Sequence, residues 1–331
     1  MPSFVADLLP VLALFAAGAV AGRRGLIGDA AVDGMKKIVA SVALPTLLFS
    51  AFAATKIEAA HLALIAAIFS SCALMGFAGF FLSRIFKLPQ PSTVFLFQGF
   101  EAGMLGYALF GAFFGLGEIP RFATADLGQV VYVFTILMSQ MLRPVGSSDA
   151  VGSSDAARGP GAIVISMLKS PVILAIAAGI IVSAIFGQRP NLPWAQGGFL
   201  AKTLATVGGL TTPLVCVSVG YGLRKGISGG RDVLKAVLAR MAVAIPIGFL
   251  IAYTLLPLLG IPLGYSRAVV VLFLLPPPYI IPIFRQEREE ADYSSAVISL
   301  HTALSMAAIV VFALAVAGNS AAGSIASGVG A

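Results

Sequence analysis

The sequence predicts an all-α polytopic membrane protein: ten transmembrane helices in two inverted five-helix repeats, with the fourth and ninth spans broken and crossed. Three observations lead there. Apolar residues make up 59% of the 331 and charged residues 11%, against about 25% charged in soluble domains, and mean hydropathy is +0.99. Apolar runs of about 18 to 25 residues recur along the chain, the length a helix needs to cross about 30 Å of hydrocarbon. The second half also repeats the first. Leu9-Pro10-Val11-Leu12 pairs with Ser170-Pro171-Val172-Ile173, and Leu44-Pro45-Thr46-Leu47 with Thr212-Pro213-Leu214-Val215. The exits Leu88-Pro89 and Ile261-Pro262 also match, leading to Ser92 and Ser266. Five crossings per half is an odd number, so the second half enters from the opposite side. Inverted repeats of this kind imply a secondary transporter with its site near the bilayer midplane.

The spans follow in order. The first, at about 4–21, ends on Arg23-Arg24 with no basic residue before it, so it reads as a retained span and not a cleaved signal peptide. The second, at about 36–54, carries Pro45, and the seventh, at about 199–222, carries Pro213. Matched mid-span prolines predict paired kinks flanking the crossover. The third and eighth lie at about 61–83 and 235–257, and the fourth and ninth at about 92–115 and 267–284. The fifth, at about 126–143, leads into an inner loop that contains Val-Gly-Ser-Ser-Asp-Ala twice in tandem, at 145–150 and 151–156. Small polar residues with glycine make that loop a flexible linker. The sixth span, at about 168–187, opens the second half, and Trp194 beyond it reads as an interfacial anchor. The tenth, at about 293–317, carries His301. The domain organisation is then a first repeat over 1–144, a linker over 145–166 and an inverted second repeat over 167–331.

Lysine and arginine give the orientation. One side, with the nearby span ends, holds 16 of the 21, among them Arg23, Lys36, Arg84, Lys235 and Arg240; the other holds Lys56, Arg121, Arg189, Lys202 and Arg267. Positive residues stay cytoplasmic, so both termini face outward from the cell (inner) membrane. The net charge of +7 therefore reports topology and not nucleic-acid binding. Cys72 and Cys216 lie in apolar spans, with no redox or metal pattern, and no cofactor is expected.

The fourth and ninth spans carry the chemistry. Three consecutive prolines, Pro276, Pro277 and Pro278, cannot sit in a continuous helix, because each lacks an N–H and clashes with the preceding turn. Gly99, Gly103 and Gly106 break the fourth span more gently. Non-helical backbone inside a membrane survives only within protein or beside a watery cavity. Breaks at one depth in antiparallel partners imply that the two spans cross. Half-helix N-termini there offer N–H groups to an anion, and half-helix C-termini offer carbonyls to a cation or a hydrogen-bond donor.

Glu101 is the one acid expected deep in a span, at a cost of roughly 2.5 kcal/mol or more on insertion scales. Three roles fit it: a proton carrier, a ligand for a coupling Na⁺, or a structural clasp on the broken backbone. His301 is either a proton relay or a packing residue. Gln98, Tyr107 and Tyr279 stand beside the breaks as candidate substrate contacts, although the tyrosines serve equally as bundle packing. With two His and two Cys scattered through the chain, no convergent nucleophile or metal set is visible, so an intramembrane enzyme is not indicated. A membrane-embedded sensor would need an output domain, and the loops are too short for one.

These residues resemble the auxin efflux carrier family, related in fold to the bile acid:sodium symporters. The likeness rests on Gly18-Ala-Val-Ala-Gly-Arg-Arg-Gly-Leu-Ile27 and Val42-Ala-Leu-Pro-Thr-Leu-Leu-Phe-Ser50, and on Thr212-Pro-Leu-Val215 in the seventh span. The resemblance implies a scaffold domain and a transport domain bearing the crossed helices, moving as an elevator in a homodimer. It also implies small organic anions such as auxin, malate or malonate as solutes; the coupling ion, H⁺ through Glu101 or alternatively Na⁺ or none, is read from Glu101 itself. The family has an Asn and then a Pro in the fourth-span crossover, where this chain has Glu101 and Ala108. In the ninth span Ile280 stands near the place of its other Asn.

Overall fold

The computed structural model describes residues 2–54, 58–141, 171–186, 198–222, 230–284 and 288–328. The 145–166 linker with its tandem repeat, and Trp194, lie outside the described residues. All the regular structure described is helical. Among the described residues seven helical segments are long and apolar enough to cross a membrane, two of them interrupted (Ser92–Phe114 and Phe199–Gly222), and three further apolar stretches of helix, Ala13–Arg23, Pro171–Phe186 and Gly264–Leu274, are shorter.

In chain order the helices are α1 (Pro2–Arg23), α2 (Asp29–Ala53), α3 (Ala59–Ile85), α4 (Ser92–Phe97), α5 (Tyr107–Phe114) and α6 (Leu116–Met141). The second half supplies α7 (Pro171–Phe186), α8 (Phe199–Gly209), α9 (Thr211–Gly222), α10 (Arg231–Leu258), α11 (Gly264–Leu274) and α12 (Arg288–Gly328). Proline leaves a mark at both expected kinks. A π-turn over Val39–Ala43 sits just before Pro45 in α2, and helix stops between α8 and α9, just before Pro213. In each case the proline cannot donate to the turn before it, so the ladder loosens there.

Two charged residues lie deeper than the span boundaries read from the sequence place them. Arg240 is no span-end charge on the cytoplasmic face: it lies in the middle of α10 and is 1% exposed. Asp126 is not at the mouth of the fifth span either. Pro120 starts helix at Ile119, which puts Asp126 about two turns inside, where it is 3% exposed. Glu101 is therefore not the one buried acid.

The helices pack in two groups. In the first, α1 lies along α9 and α7 lies along α2, with α8 beside α2. In the second, α3 packs on α4 and α6, α10 on α11 and α12, and α3 meets α10. Backbones inside each group come very close. A Cβ added at Gly18 of α1 would stand 2.2 Å from Val217 O of α9, and one at Gly220 of α9 would stand 2.1 Å from Phe15 O. Gly128 of α6 is pressed likewise on Ile65 O of α3, at 2.3 Å. Between the groups, α9 and α1 touch α5, and α2 touches α6. The glycine nearest that boundary, Gly103, has Leu44 at an ordinary 3.7 Å.

Candidate functional site

The fourth segment stops being helical at Gln98, runs extended to Glu101, and restarts as a π-turn over Ala102–Gly106 that leads into α5. The break is thus shorter than Gly99–Gly103, because the Glu101 side chain caps the new helix start and accepts from Met104 N at 3.0 Å. Gly99 has φ +73, and a Cβ there would stand 2.6 Å from Val133, so both backbone conformation and space require glycine. The ninth segment leaves helix at Leu275, passes through Pro276, Pro277 and Pro278, and takes a short 3₁₀ turn over Ile281–Phe284. The breaks touch. Glu101 N donates to Pro276 O at 2.8 Å, and Phe100 lies against Phe273 with ring centroids 4.7 Å apart.

Backbone polar groups freed from helix need other partners inside a membrane. In the ninth segment the three prolines reduce the demand, since none has an N–H to satisfy. In the fourth, Phe100 N donates to Gln129 Oε1 at 3.1 Å. Two charged side chains complete the arrangement. Glu101 accepts from Tyr279 N through Oε2 at 2.6 Å, while its Oε1 takes Met104 N. One carboxylate therefore joins the helix restart of the fourth segment, where the dipole favours a negative charge, to the backbone just beyond the prolines of the ninth. Arg240 does the converse. Its guanidinium donates to Gly99 O at 2.6 Å and to Leu275 O at 3.0 Å, the carbonyls at the C-terminal ends of both first-half pieces. It also lies 5.3 Å from the Phe100 ring centre, within cation–π range.

The sequence-derived candidates fall into separate places. Glu101, Gly99, Pro276, Pro277, Pro278 and Tyr279 meet at the crossing. His301 belongs to the arginine side, with Nε2 3.4 Å from the Arg240 guanidinium; accepting there makes it the Nδ1–H tautomer. Tyr107 turns away from the crossing and donates to Asp126 at 2.8 Å, and Asp126 accepts from Gln129 at 2.7 Å. Gln98 also faces away. It accepts from Tyr132 OH at 2.7 Å and donates to Gln140 at 3.0 Å, forming the polar floor of an open cleft of about 500 Å³ between α3, α4 and α6. Pro45 and Pro213 line neither feature but set the two kinked helices beside the π-turn that follows Glu101.

A second cavity, of about 220 Å³, adjoins the crossing. Lys36 and Ser218 line it from α2 and α9, and Met104, Tyr279, Ser299 and Thr302 from the other helix group. Two of these residues, Met104 and Tyr279, are the ones whose backbone N–H groups hold Glu101. Among the described residues no three His, Cys, Asp or Glu side chains are grouped to hold a metal ion.

A family model described as Membrane transport protein matches residues 3–157, a little under half of the chain. No curated protein matches the chain. The resemblance to auxin efflux carriers seen at Gly18–Ile27 and Val42–Ser50 falls inside the matched region.

Proposed function

We propose, for a membrane protein whose first half is that of the auxin efflux carrier-type membrane transport family, that it is a secondary active transporter of a small organic solute bearing a carboxylate. In this reading it works by elevator-type alternating access and is coupled to H⁺ through Glu101. The observation that carries the reading is the position of that carboxylate: on the freed N–H groups of both breaks, behind a cavity lined from two separate helix groups. An anionic solute in the cavity is repelled by ionised Glu101. At an effective dielectric of 20, two unit charges about 4 Å apart cost roughly 4 kcal/mol. A proton on Glu101 removes that repulsion, which ties solute binding to proton uptake.

The repeat architecture is part of the proposal. The α1–α9 and α2–α7 seams exchange corresponding members of the two halves, as an inverted duplication of five spans each requires. The α1, α2, α7, α8 and α9 group would be the scaffold, and the remainder would be the moving domain that bears the crossing. Both termini would lie outside, in the cell membrane of a homodimeric carrier. Arg240 favours H⁺ over Na⁺ as the coupling ion, because its guanidinium already occupies the carbonyls that half-helix C-termini offer to a cation.

The test is uptake into proteoliposomes under an imposed pH gradient, with malonate, malate, aspartate, alanine and an auxin as probes and a thermal-shift screen to choose among them. Accumulation that follows the pH gradient and needs no Na⁺ supports the reading. Accumulation that needs Na⁺, or none with any probe, overturns it.

A further inference from the structure

The cavity beside the crossing is chemically one-sided. A hydroxyl has one hydrogen to give and two lone pairs to offer, and the hydrogens here are spent within the protein. Ser218 donates to Leu214 O at 2.7 Å, Ser299 to Ser295 O at 2.8 Å, and Thr302 to Ile298 O at 2.8 Å. Tyr279 OH stands 3.1 Å from Thr302 Oγ1; with the Thr302 hydrogen on Ile298 O, the tyrosine is the donor of that pair. The backbone N–H groups of Met104 and Tyr279 are spent too, on Glu101. What remains toward the cavity is lone pairs on hydroxyl oxygens, with a carboxylate behind them. The donor among the side chains lining it is the Lys36 ammonium, half-exposed, with its nearest carboxylate, Asp33, 3.9 Å away.

A bare carboxylate has only acceptors, so it would find a partner at the Lys36 end and face lone pairs elsewhere. A single hydroxyl on the solute supplies one hydrogen to several waiting oxygens. An ammonium supplies three. At about 220 Å³ the cavity is below the range of about 300–1,000 Å³ that holds drug-sized ligands, so the solute is small. We infer that the cavity takes a small amino carboxylate, its carboxylate toward Lys36 and its ammonium among the oxygens of Ser218, Ser299 and Tyr279. This rests on the reading of the cavity as the carrier's solute site and replaces its bare anion: an ammonium before Glu101 is attracted by the ionised carboxylate, so binding in this pose does not itself require the proton.

Two matched pairs test it on the purified full-length protein: alanine against propionate, and aspartate against succinate, each pair differing by one ammonium. Thermal shift and isothermal titration should show alanine or aspartate binding at least tenfold more tightly than its partner. Ser299→Ala, on a helix surface where the fold tolerates it, should weaken the amino acid about fivefold, the loss of one hydrogen bond, and leave any propionate binding unchanged. Lys36→Ala should weaken both members of a pair. Equal or tighter binding of propionate and succinate overturns the inference, as does no shift with any of the four. Because transport is scored separately, by pH-driven uptake of alanine and aspartate as well as malonate and malate, uptake of the bare anions alone would sink this inference and leave the transporter reading standing. Absence of all uptake would sink the transporter reading itself.

Discussion

Glu101 and Arg240 hold opposite ends of the same two breaks. The carboxylate takes the N–H groups just beyond the two breaks, and the guanidinium takes the carbonyls that close the first pieces. Each charge answers the dipole end it faces. The crossing thus contains its own acid and its own cation, both supplied by the protein: a carboxyl on the freed N–H groups and a guanidinium on the freed carbonyls.

Glu101→Gln should separate binding from coupling. An amide has one acceptor oxygen, so one of the two N–H groups, Met104 or Tyr279, loses its partner, at about 1–3 kcal/mol. The expected outcome is a lower melting temperature in detergent and solute exchange that persists. Accumulation driven by a pH gradient should be lost. Unchanged pH-driven uptake would make Glu101 a clasp with no part in coupling.

Arg240→Met should be the more damaging change. It leaves Gly99 O and Leu275 O buried without this donor, at about 1–3 kcal/mol each. Arg240→Lys should recover less than half of the loss, since one ammonium does not reproduce the fork that spans two carbonyls. The Glu101→Gln, Arg240→Met double variant should be less destabilised than the sum of the singles, because both side chains tie the same two breaks together and the loss of either loosens the crossing that the other holds. Additive melting shifts would show that the two groups act independently.

Asp126→Asn tests whether the second buried acid carries protons. The side chain accepts from Tyr107 and Gln129, and the amide keeps only one of those bonds, so stability should fall by about 1–3 kcal/mol. Uptake driven by a pH gradient should survive. If the gradient no longer drives uptake while the protein remains folded, Asp126 belongs to the coupling path.

Replacing Na⁺ with choline should leave initial uptake rates unchanged in the parent protein. A requirement for Na⁺ that appears only in Arg240→Met would point to a cation taking the place of the missing guanidinium. A requirement in the parent itself would assign coupling to Na⁺.

The charge-based orientation is checked by single cysteines. Both native thiols, Cys72 and Cys216, are buried, which keeps background labelling low. Cysteines introduced at about 146–158 should resist impermeant reagents in intact cells, and one near Asn191 should react. Reversed labelling would invert the topology.

The site was legible in the sequence where a residue breaks a local rule. An acid within an apolar run and three prolines in one span are both costly in a bilayer, and they mark the crossing directly. Arg240 breaks a rule less openly, because it follows Arg231 and Lys235, and basic residues near helix ends are ordinary. Its signal was phase. Nine residues beyond Arg231, it lies about 180° around the helix, on the face turned to the interior. For Asp126 the signal was Pro120, which suits the first turn of a helix and moves the start of the span outward. No pattern in the sequence shows Gln98 facing Tyr132 and Gln140, because that depends on how α3, α4 and α6 come together.

The glycines of the two packed groups have a mechanical meaning. Where Val217 O sits in the hollow of Gly18, and Phe15 O in that of Gly220, each helix is keyed to its neighbour, and sliding would drive a carbonyl into a methylene. Keys of this kind, with approaches under 3.4 Å, fall inside one group or the other among the described residues, and none spans the boundary, where Gly103 meets Leu44 at 3.7 Å. In the proposed elevator mechanism this unkeyed surface would be the bearing on which one part travels over the other. Friction there is set by side chains and not by interlocked backbone, so bulk added at Gly103 would act as a brake while leaving the keyed groups intact.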